Sequence, residues 1–181
     1  MSKRPTDPLL LAGRVLTLIM QGLMALCSIV LAIILPVLFF FRDSINAELL
    51  AEHGTTAAQI PAGTIAGLFI IIIVVTLLAF RFFGFLRRII ETVEKGDPFV
   101  PDNADRLTSM AWHLTGIYIL MSVAAAVGLA LESWVETLDE TDVHVAFSFD
   151  MSMVLTIVIL FILARVFRKG TEMREDLEGT V

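Results

Sequence analysis

Three histidines are the side chains of this sequence best able to bind a metal or transfer a proton near neutral pH: His53, His113 and His144. None has a histidine or cysteine three or four residues away, the spacing of metal ligands on one helical face. His53 and His144 lie in polar stretches beside acidic residues, which leaves a metal or pH-sensing pair as one interpretation. Two solvated loop histidines are the interpretation that the pattern favours.

The apolar parts of the chain carry little chemistry. Paired carboxylates there would indicate an ion pathway, and the runs contain none; Gln21 is the only strongly polar residue deep within one. The sequence also contains no Ser, His and Asp set, no glycine-rich phosphate loop and no zinc-protease helix. We therefore predict a protein that is not an enzyme and that has no catalytic residues, no cofactor and no metal. The lack of ionisable residues within the apolar runs also argues against a proton-coupled transporter.

Composition places the chain in the membrane. Of its 181 residues 57% are hydrophobic and the mean hydropathy is +0.85, whereas ordinary soluble domains are nearer ~45–50% apolar. The single cysteine, Cys27, cannot form an internal disulfide. A net charge of −6 argues against direct binding to nucleic acid.

Four apolar runs are each long enough to cross the ~30 Å hydrocarbon core of a bilayer as a helix. They cover approximately residues 15–41, 62–83, 107–131 and 151–167. The first is too long for a signal peptide, and no small-residue cleavage site follows it. We predict an all-α integral membrane protein, a single membrane domain over residues 1–181, whose four transmembrane helices form two hairpins in an up-down bundle with short extracytoplasmic loops.

Small residues within these runs indicate where helices could approach closely. Gly63 and Gly67 form a Gly-x-x-x-Gly pair in the second run, and Ser122, Ala126 and Ala130 form a stripe in the third. We predict helix packing at Gly63, Gly67 and Ala126. Association with a second copy of the chain is left open.

The polar segment 84–106 between the second and third runs is read as helix, stop, helix, and it is the amphipathic helix-turn segment of the predicted fold. Apolar residues recur at helical spacing: Phe82, Phe85, Leu86, Ile89, Ile90 and Val93. Arg87 and Glu91 lie one turn apart on the other face. Gly96 is placed to end this helix in the left-handed conformation, and Pro98 prevents its continuation. Asp102 or Asn103 is the predicted N-cap of the next helix.

The distribution of basic residues predicts the orientation. All but one of the 13 Lys and Arg residues fall before the first run, in segment 84–106 with its flanks, or near the tail 168–181; Arg42 is the exception. This asymmetry predicts that both termini and the central segment are cytoplasmic. The opposite loop before the fourth run is acidic, and the alternation at 143–150 predicts a short strand or an extended approach to that run.

The cytoplasmic face is the richest surface of the predicted fold. Phe99 stands between two prolines and should pack, either on the bundle or on a partner. One hypothesis is that segment 84–106 lies at the lipid headgroups with its arginines reaching the interface. The other is a docking platform built from this segment and the tail. Its candidate residues are Arg87, Arg88, Glu91, Gly96, Pro98, Phe99, Pro101, Asn103, Asp176 and Leu177.

The pattern FLRRIIETVEKGDPFVPDNADRL at 85–107 and the ending LARVFRKGTEMREDLEGTV at 163–181 resemble the YoaS-like family, small bacterial four-helix inner-membrane proteins with a domain of unknown function. The resemblance covers essentially the whole chain. It is most specific at Gly96, Pro98, Phe99, Pro101, Asn103, Phe167, Gly170, Asp176 and Leu177. In this chain Glu178 and Gly179 interrupt the family's usual Asp-Leu-Thr-Val ending.

The resemblance implies a location in the bacterial inner (plasma) membrane and a partner, because such proteins are often encoded beside a small Cro/CI-type helix-turn-helix regulator. The implied function is a non-enzymatic membrane protein that sequesters this regulator or signals to it. A small transporter, channel or immunity-type membrane protein is the alternative hypothesis. A membrane-embedded enzyme would need a polar cluster at one depth, which the sequence does not offer.

Overall fold

The computed structural model describes residues 7–53, 62–135 and 150–178. The regular structure of these ranges consists of four helices: α1 Pro8–His53, α2 Ala62–Glu94, α3 Pro101–Val135 and α4 Met151–Glu178. Each is long and apolar enough to cross a membrane. The predicted all-α fold with four candidate membrane helices is therefore confirmed. The possible strand at 143–150 lies outside the described residues, except for Asp150.

The helices extend beyond the apolar runs that predicted them. Most of segment 84–106 belongs to α2 or α3, and α4 continues through most of the predicted tail. Nothing in 85–94 breaks a helix, and Arg87 and Glu91 form the expected ion pair one turn apart, with 3.6 Å between Nε and Oε1. The end of an apolar run marks the end of lipid contact, whereas a helix ends only at a stop signal.

Many large apolar side chains of these helices are exposed. Along α1 they include Leu16, Ile19, Leu23, Leu26, Ile29 and Ile33. Exposed apolar surface of this extent is unfavourable in water and suits contact with lipid tails. The exposure pattern therefore fits a multi-pass membrane protein.

Contacts divide the chain into two compact units. Unit 1 comprises Met1–Ala25, Leu77–Ile117 and Asp150–Val181, and unit 2 comprises Leu26–Thr76 and Tyr118–Phe149. Segment 84–106 and the end of α4, which carry most of the basic residues, both belong to unit 1.

The core of unit 1 joins α2, α3 and α4. Its buried apolar members are Ile89, Leu107, Met110 and Ala164, and the partly buried members are Phe82, Phe85, Leu86, Val93, Leu160 and Phe167. Five of the six apolar residues predicted on one face of α2 lie in this core. The sixth, Ile90, faces α1, where its Cδ1 is 3.3 Å from the position of a Cβ on Gly13.

Ring contacts join the same helices further from the turn. The rings of Phe85 and His113 lie 5.4 Å apart between α2 and α3. The rings of Trp112 and Phe161 lie 5.5 Å apart between α3 and α4. Both pairs are edge-to-face, which is a favoured arrangement of aromatic rings.

In unit 2 a buried hydrogen bond links α1 to α2. The hydroxyl oxygens of Ser28 and Thr76 are 2.7 Å apart. Either hydroxyl can be the donor of this bond, and the Thr76 hydroxyl also lies 2.8 Å from the carbonyl oxygen of Ile73. Polar groups in an apolar environment are stable only when they are paired in this way.

One of the small residues predicted to pack helices, Ala126, lies beside an open crevice of unit 2. Ala126 is exposed and lines this 560 Å³ crevice with Thr64, Tyr118 and Ser122. A Cβ added at Gly63 or Gly67 would meet no heavy atom within 4 Å among the described residues. Close packing at the glycine pair therefore remains a prediction, and a second copy of the chain is the packing partner that would test it.

Candidate functional site

The turn between α2 and α3 has a fixed geometry. Gly96 adopts a φ of 81°, the left-handed conformation predicted for it. Its N–H donates to the carbonyl of Val93 at 2.9 Å, and the N–H of Asp97 donates to the carbonyl of Thr92 at 3.1 Å. These two bonds are the Schellman motif, which satisfies carbonyls at the end of α2.

The start of α3 differs from the prediction. The helix begins at Pro101, so neither Asp102 nor Asn103 is its N-cap. Proline suits the first helical position, because its φ is already helical and no N–H is needed there. The residue before it, Val100, accepts a hydrogen bond from the N–H of Asn103 at 3.0 Å.

Asn103 is instead the buried centre of the turn, with 0% of its surface exposed. Its amide nitrogen donates to the hydroxyl of Thr92 at 2.6 Å and to the carbonyl of Pro98 at 2.9 Å. Its carbonyl oxygen accepts from Nη1 of Arg106 at 2.9 Å. One side chain therefore holds the end of α2, the turn and the first turns of α3 together, and it supports the surface without being accessible to a partner.

Phe99 attaches the turn to α4. Its ring lies 5.3 Å from the ring of Phe167. A Cβ built on Gly170 would be 2.8 Å from Cδ1 of Phe99, so the ring lies directly against the α4 backbone at this glycine. The expectation that Phe99 packs is confirmed, and the chain's own α4 is its neighbour. Phe99 as a whole residue remains 41% exposed.

Two ion pairs join the same elements. Arg174 of α4 pairs with Asp97 of the turn, and Nη2 of Arg168 lies 3.1 Å from Oδ1 of Asp105 on α3. Exposed pairs of this kind are each worth only ~0–1 kcal/mol. They join α4 to the turn and to the start of α3.

We call the exposed face formed by the turn, the start of α3 and the end of α4 the turn surface. It carries exposed acids and apolar side chains together with the two pairs above. Its exposed members are Lys95, Gly96, Phe99, Pro101, Asp102, Asp105, Met173, Glu175, Asp176 and Leu177. Six of the predicted docking residues thus come together here or directly beneath: Gly96, Phe99, Pro101, Asn103, Asp176 and Leu177.

The remaining docking candidates have different neighbours. Pro98 is half-buried and accepts the bond from Asn103. Arg87 and Arg88 line a groove between α1 and α2, with Gln21, Phe80, Arg81, Gly84 and Phe85, and Glu91 is the ion-pair partner of Arg87. We call this 370 Å³ space the arginine groove. The sequence identified Gln21 as unusual but contained no signal that it faces these arginines.

Of the three histidines, His113 is the one whose side chain is described. Its Nδ1 is 2.7 Å from the carbonyl of Ser109, and its ring packs on Phe85. The side chains of His53 and His144 lie outside the described part of the chain, so the metal or pH-sensing pair is untested. Within ranges 7–53, 62–135 and 150–178, no group of three or more His, Cys, Asp or Glu residues is arranged to hold a metal.

Comparison with known proteins assigns a family but no activity. No curated protein matches the chain, and no solved structure matches it. A family model described as "protein of unknown function (DUF2975)" matches residues 45–181. This range contains α2, the turn, α3 and α4, and therefore the whole of the turn surface. Because the match covers well over half of the sequence, the chain belongs to the DUF2975 family of proteins of unknown function.

Proposed function

We propose that the chain is a four-span protein of the bacterial plasma membrane, with both termini and the turn surface in the cytoplasm. The basic residues support this orientation, since 12 of 13 lie on the proposed cytoplasmic side. Contacts in unit 1 support an antiparallel arrangement of α2 and α3, as an up-down bundle requires. Thr92 contacts Asn103, and the earlier Phe85 of α2 contacts the later His113 of α3. The two helices are therefore antiparallel.

The proposed function is that of a non-enzymatic membrane partner for a small helix-turn-helix transcription regulator, which it sequesters or signals to. One observation carries this proposal: the turn surface is held together by the chain's own hydrogen bonds, ring packing and ion pairs, and it still leaves apolar side chains exposed. Met173 is 58% exposed and Leu177 is 71% exposed. Leu177 follows the apolar run that ends near Phe167 by ten residues, or ~15 Å of helix, a separation that supports a position beyond the hydrocarbon core and its lipid tails.

Exposed acids on the turn surface suit a basic partner. Asp102, Asp105 and Asp176 are exposed beside the apolar side chains; Asp102 also pairs with Arg106 and Asp105 with Arg168, pairs that a basic partner would compete for. The recognition helix of a helix-turn-helix protein is basic where it contacts DNA phosphates. An acidic surface with apolar contacts could bind that helix and compete with DNA for it, since charge complementarity governs partner choice. The resemblance to YoaS-like proteins supports the same class of partner.

The experiment that tests this function is purification of the tagged full chain from its host in a mild detergent, followed by mass spectrometry. We expect a small helix-turn-helix protein in near-stoichiometric amount. The purified pair should then bind directly, and the chain should lower the affinity of the regulator for its DNA in a gel-shift assay.

Surface variants make the test specific. M173D with L177D should abolish binding, because both side chains are exposed and their replacement leaves the Phe99 contact intact. Arg42→Gln is the matched control, since Arg42 follows the first apolar run and lies outside unit 1. Equal binding by the surface variant and the control would disprove docking at the turn surface. A chain purified without any regulator would favour the transporter or channel hypothesis, and solute flux in vesicles would then be measured.

A further inference from the structure

The arginine groove contains cations that the chain does not neutralise. Arg81 and Arg88 form no ion pair with any described residue, and both are exposed. Nε of Arg87 is buried without a hydrogen-bond partner in the described part of the chain, and the carboxylate nearest to it, on Glu91, is 3.6 Å away. Three guanidinium groups around one space of 370 Å³ create a site of positive potential.

The shape of the groove depends on Gly84 and Gln21. Arg81, Gly84 and Arg88 lie on one face of α2 at helical spacing, and the missing side chain at Gly84 leaves a gap between the two arginines. The Gln21 side chain of α1 enters this gap, with Nε2 3.0 Å from the position of a Cβ on Gly84. That nitrogen donates to the carbonyl of Phe80 at 3.3 Å, and the amide has a second N–H available for an anion.

A second basic groove, on α4, has more of its cations paired than the arginine groove, where only Arg87 has a carboxylate partner, Glu91. It is lined by Arg165, Arg168 and Lys169 and has a volume of 470 Å³. Two of its cations already have anionic partners, since Arg168 pairs with Asp105 and Lys169 pairs with Glu172 at 3.0 Å. The α4 groove therefore has an equal number of cations but less capacity to attract an external anion.

The position of the arginine groove indicates the source of the anion. Arg81 lies within the last residues of the apolar run 62–83 of α2, close to the level where lipid headgroups begin. On the membrane side of the arginines, α2 exposes Leu77 and Phe80, whose exposed fractions are 50% and 38%. An acyl chain could contact both side chains. A free phosphate would use the guanidinium groups but would gain nothing from these apolar side chains, whereas a phospholipid uses both.

We propose that the arginine groove is a binding site for one anionic phospholipid, whose phosphate contacts Arg81, Arg87, Arg88 and the amide of Gln21. Guanidinium groups bind phosphate through paired, charge-assisted hydrogen bonds. Basic pockets between membrane helices on the cytoplasmic side are known to hold anionic headgroups. The bound lipid would fix the distance between α1 and α2 at this level. This site is separate from the turn surface and does not depend on the proposed regulator.

The test is native mass spectrometry of the full chain in a non-ionic detergent, titrated with phosphatidylglycerol or phosphatidylcholine. We expect one tightly retained phosphatidylglycerol and at least tenfold weaker retention of phosphatidylcholine. The R81Q/R88Q variant should bind phosphatidylglycerol about ten- to thirtyfold more weakly, as expected for the loss of two headgroup contacts. Each single variant should lose about three- to fivefold, which provides a second measurement should the double variant fail to fold.

The matched control is R168Q/K169Q, which removes the same charge from the α4 groove. It should change phosphatidylglycerol binding by less than threefold, and equal losses in the two double variants would overturn the site in favour of a diffuse basic surface. Inorganic phosphate at millimolar concentration should not displace the lipid. Displacement by phosphate, or equal retention of the two lipids, would likewise overturn the proposal.

Discussion

The ring of Phe99 lies in the space that a side chain at Gly170 would occupy. A Cβ at this glycine would be 2.8 Å from Cδ1 and 2.9 Å from Cε1 of Phe99, too close for non-bonded carbon atoms, so the ring would have to shift. The two residues are far apart in the chain, but the position of the ring depends on the absence of a side chain at Gly170. An aromatic ring in the turn requires a glycine on α4, and the contact holds the turn surface in one conformation.

We predict that Gly170→Ala destabilises unit 1, because the methyl group displaces the ring from α4. Overpacking of this kind costs ~1–3 kcal/mol, although alanine recovers up to ~1 kcal/mol through its helix propensity. Gly22→Ala is the control, since a Cβ there meets no described atom within 4 Å. The free energy of unfolding in detergent should be ~1–3 kcal/mol lower for Gly170→Ala than for the control, and equal values would disprove the close contact.

A compensating change tests the same pair. Replacing Phe99 with leucine in the Gly170→Ala background should recover part of the lost stability, because the smaller side chain leaves room for the methyl group. In a double-mutant cycle the two substitutions should therefore be non-additive by at least ~0.5 kcal/mol. Strict additivity would show that the two side chains do not share the space.

Asn103 provides a second prediction. Asn103→Ala removes three hydrogen bonds and leaves the carbonyl of the half-buried Pro98 without this partner, beside a small cavity. Each lost bond costs ~0.5–1.5 kcal/mol, and an unpaired buried group costs more, so we expect a loss of ~2–4 kcal/mol in the free energy of unfolding. Asp102→Ala, which breaks only the exposed pair with Arg106, should cost less than ~1 kcal/mol. Comparable losses in both variants would contradict the central role of Asn103.

Local signals in the sequence were sufficient for the helices and the end of α2. These signals are the periodic apolar residues and the combination of Gly96 with Pro98. Each determines the backbone only of its own neighbouring residues, so its effect can be predicted without a structure. The start of α3 was predicted two or three residues too late, because Pro101 and Asn103 are each acceptable near a helix start. What decided between them was burial of the Asn103 side chain against Thr92 and Pro98, a tertiary effect.

The candidate sites depended on contacts between distant residues, which no periodicity reveals. The sequence predicted that Phe99 packs but could not indicate Gly170 as its neighbour. It marked Gln21 as unusual and Arg87 as basic, yet their common groove requires α1 and α2 to meet at Gly84. The pairs of Arg174 with Asp97 and of Arg168 with Asp105 were missed for the same reason.

The residue before α4 gives a prediction of pH dependence. Asp150 accepts hydrogen bonds from the hydroxyl of Ser152 and from its N–H, the latter at 2.9 Å. These bonds, led by the hydroxyl, hold the pKa of the carboxyl below its ordinary value of 3.8. Because the folded state favours the ionised form, this stabilisation is present above pH 3.8 and is lost as the pH falls through the lower pKa of the folded state.

The pKa of Asp150 can be followed by NMR from the chemical shift of its carboxyl carbon. We expect a midpoint below 3.8, and a return toward 3.8 in Ser152→Ala, which removes the strongest of the bonds. Asp150→Asn should keep the cap at all pH values, since asparagine is also a good N-cap. A midpoint at or above 3.8 in the unmodified chain would contradict the capping geometry.

The bond between Ser28 and Thr76 predicts a measurable link between α1 and α2 in unit 2. Hydrogen bonds between membrane helices average ~0.6 kcal/mol and reach ~1.7 kcal/mol. Ser28→Ala should therefore lower the free energy of unfolding by about this amount, and Thr76→Val should lower it similarly, because valine keeps the shape and loses the hydroxyl. In the double variant the second substitution should add little, since the bond is already broken. Unfolding in lipid bicelles would measure all four proteins of the cycle, and independent effects of the two substitutions would show that the hydroxyls are not paired in the membrane.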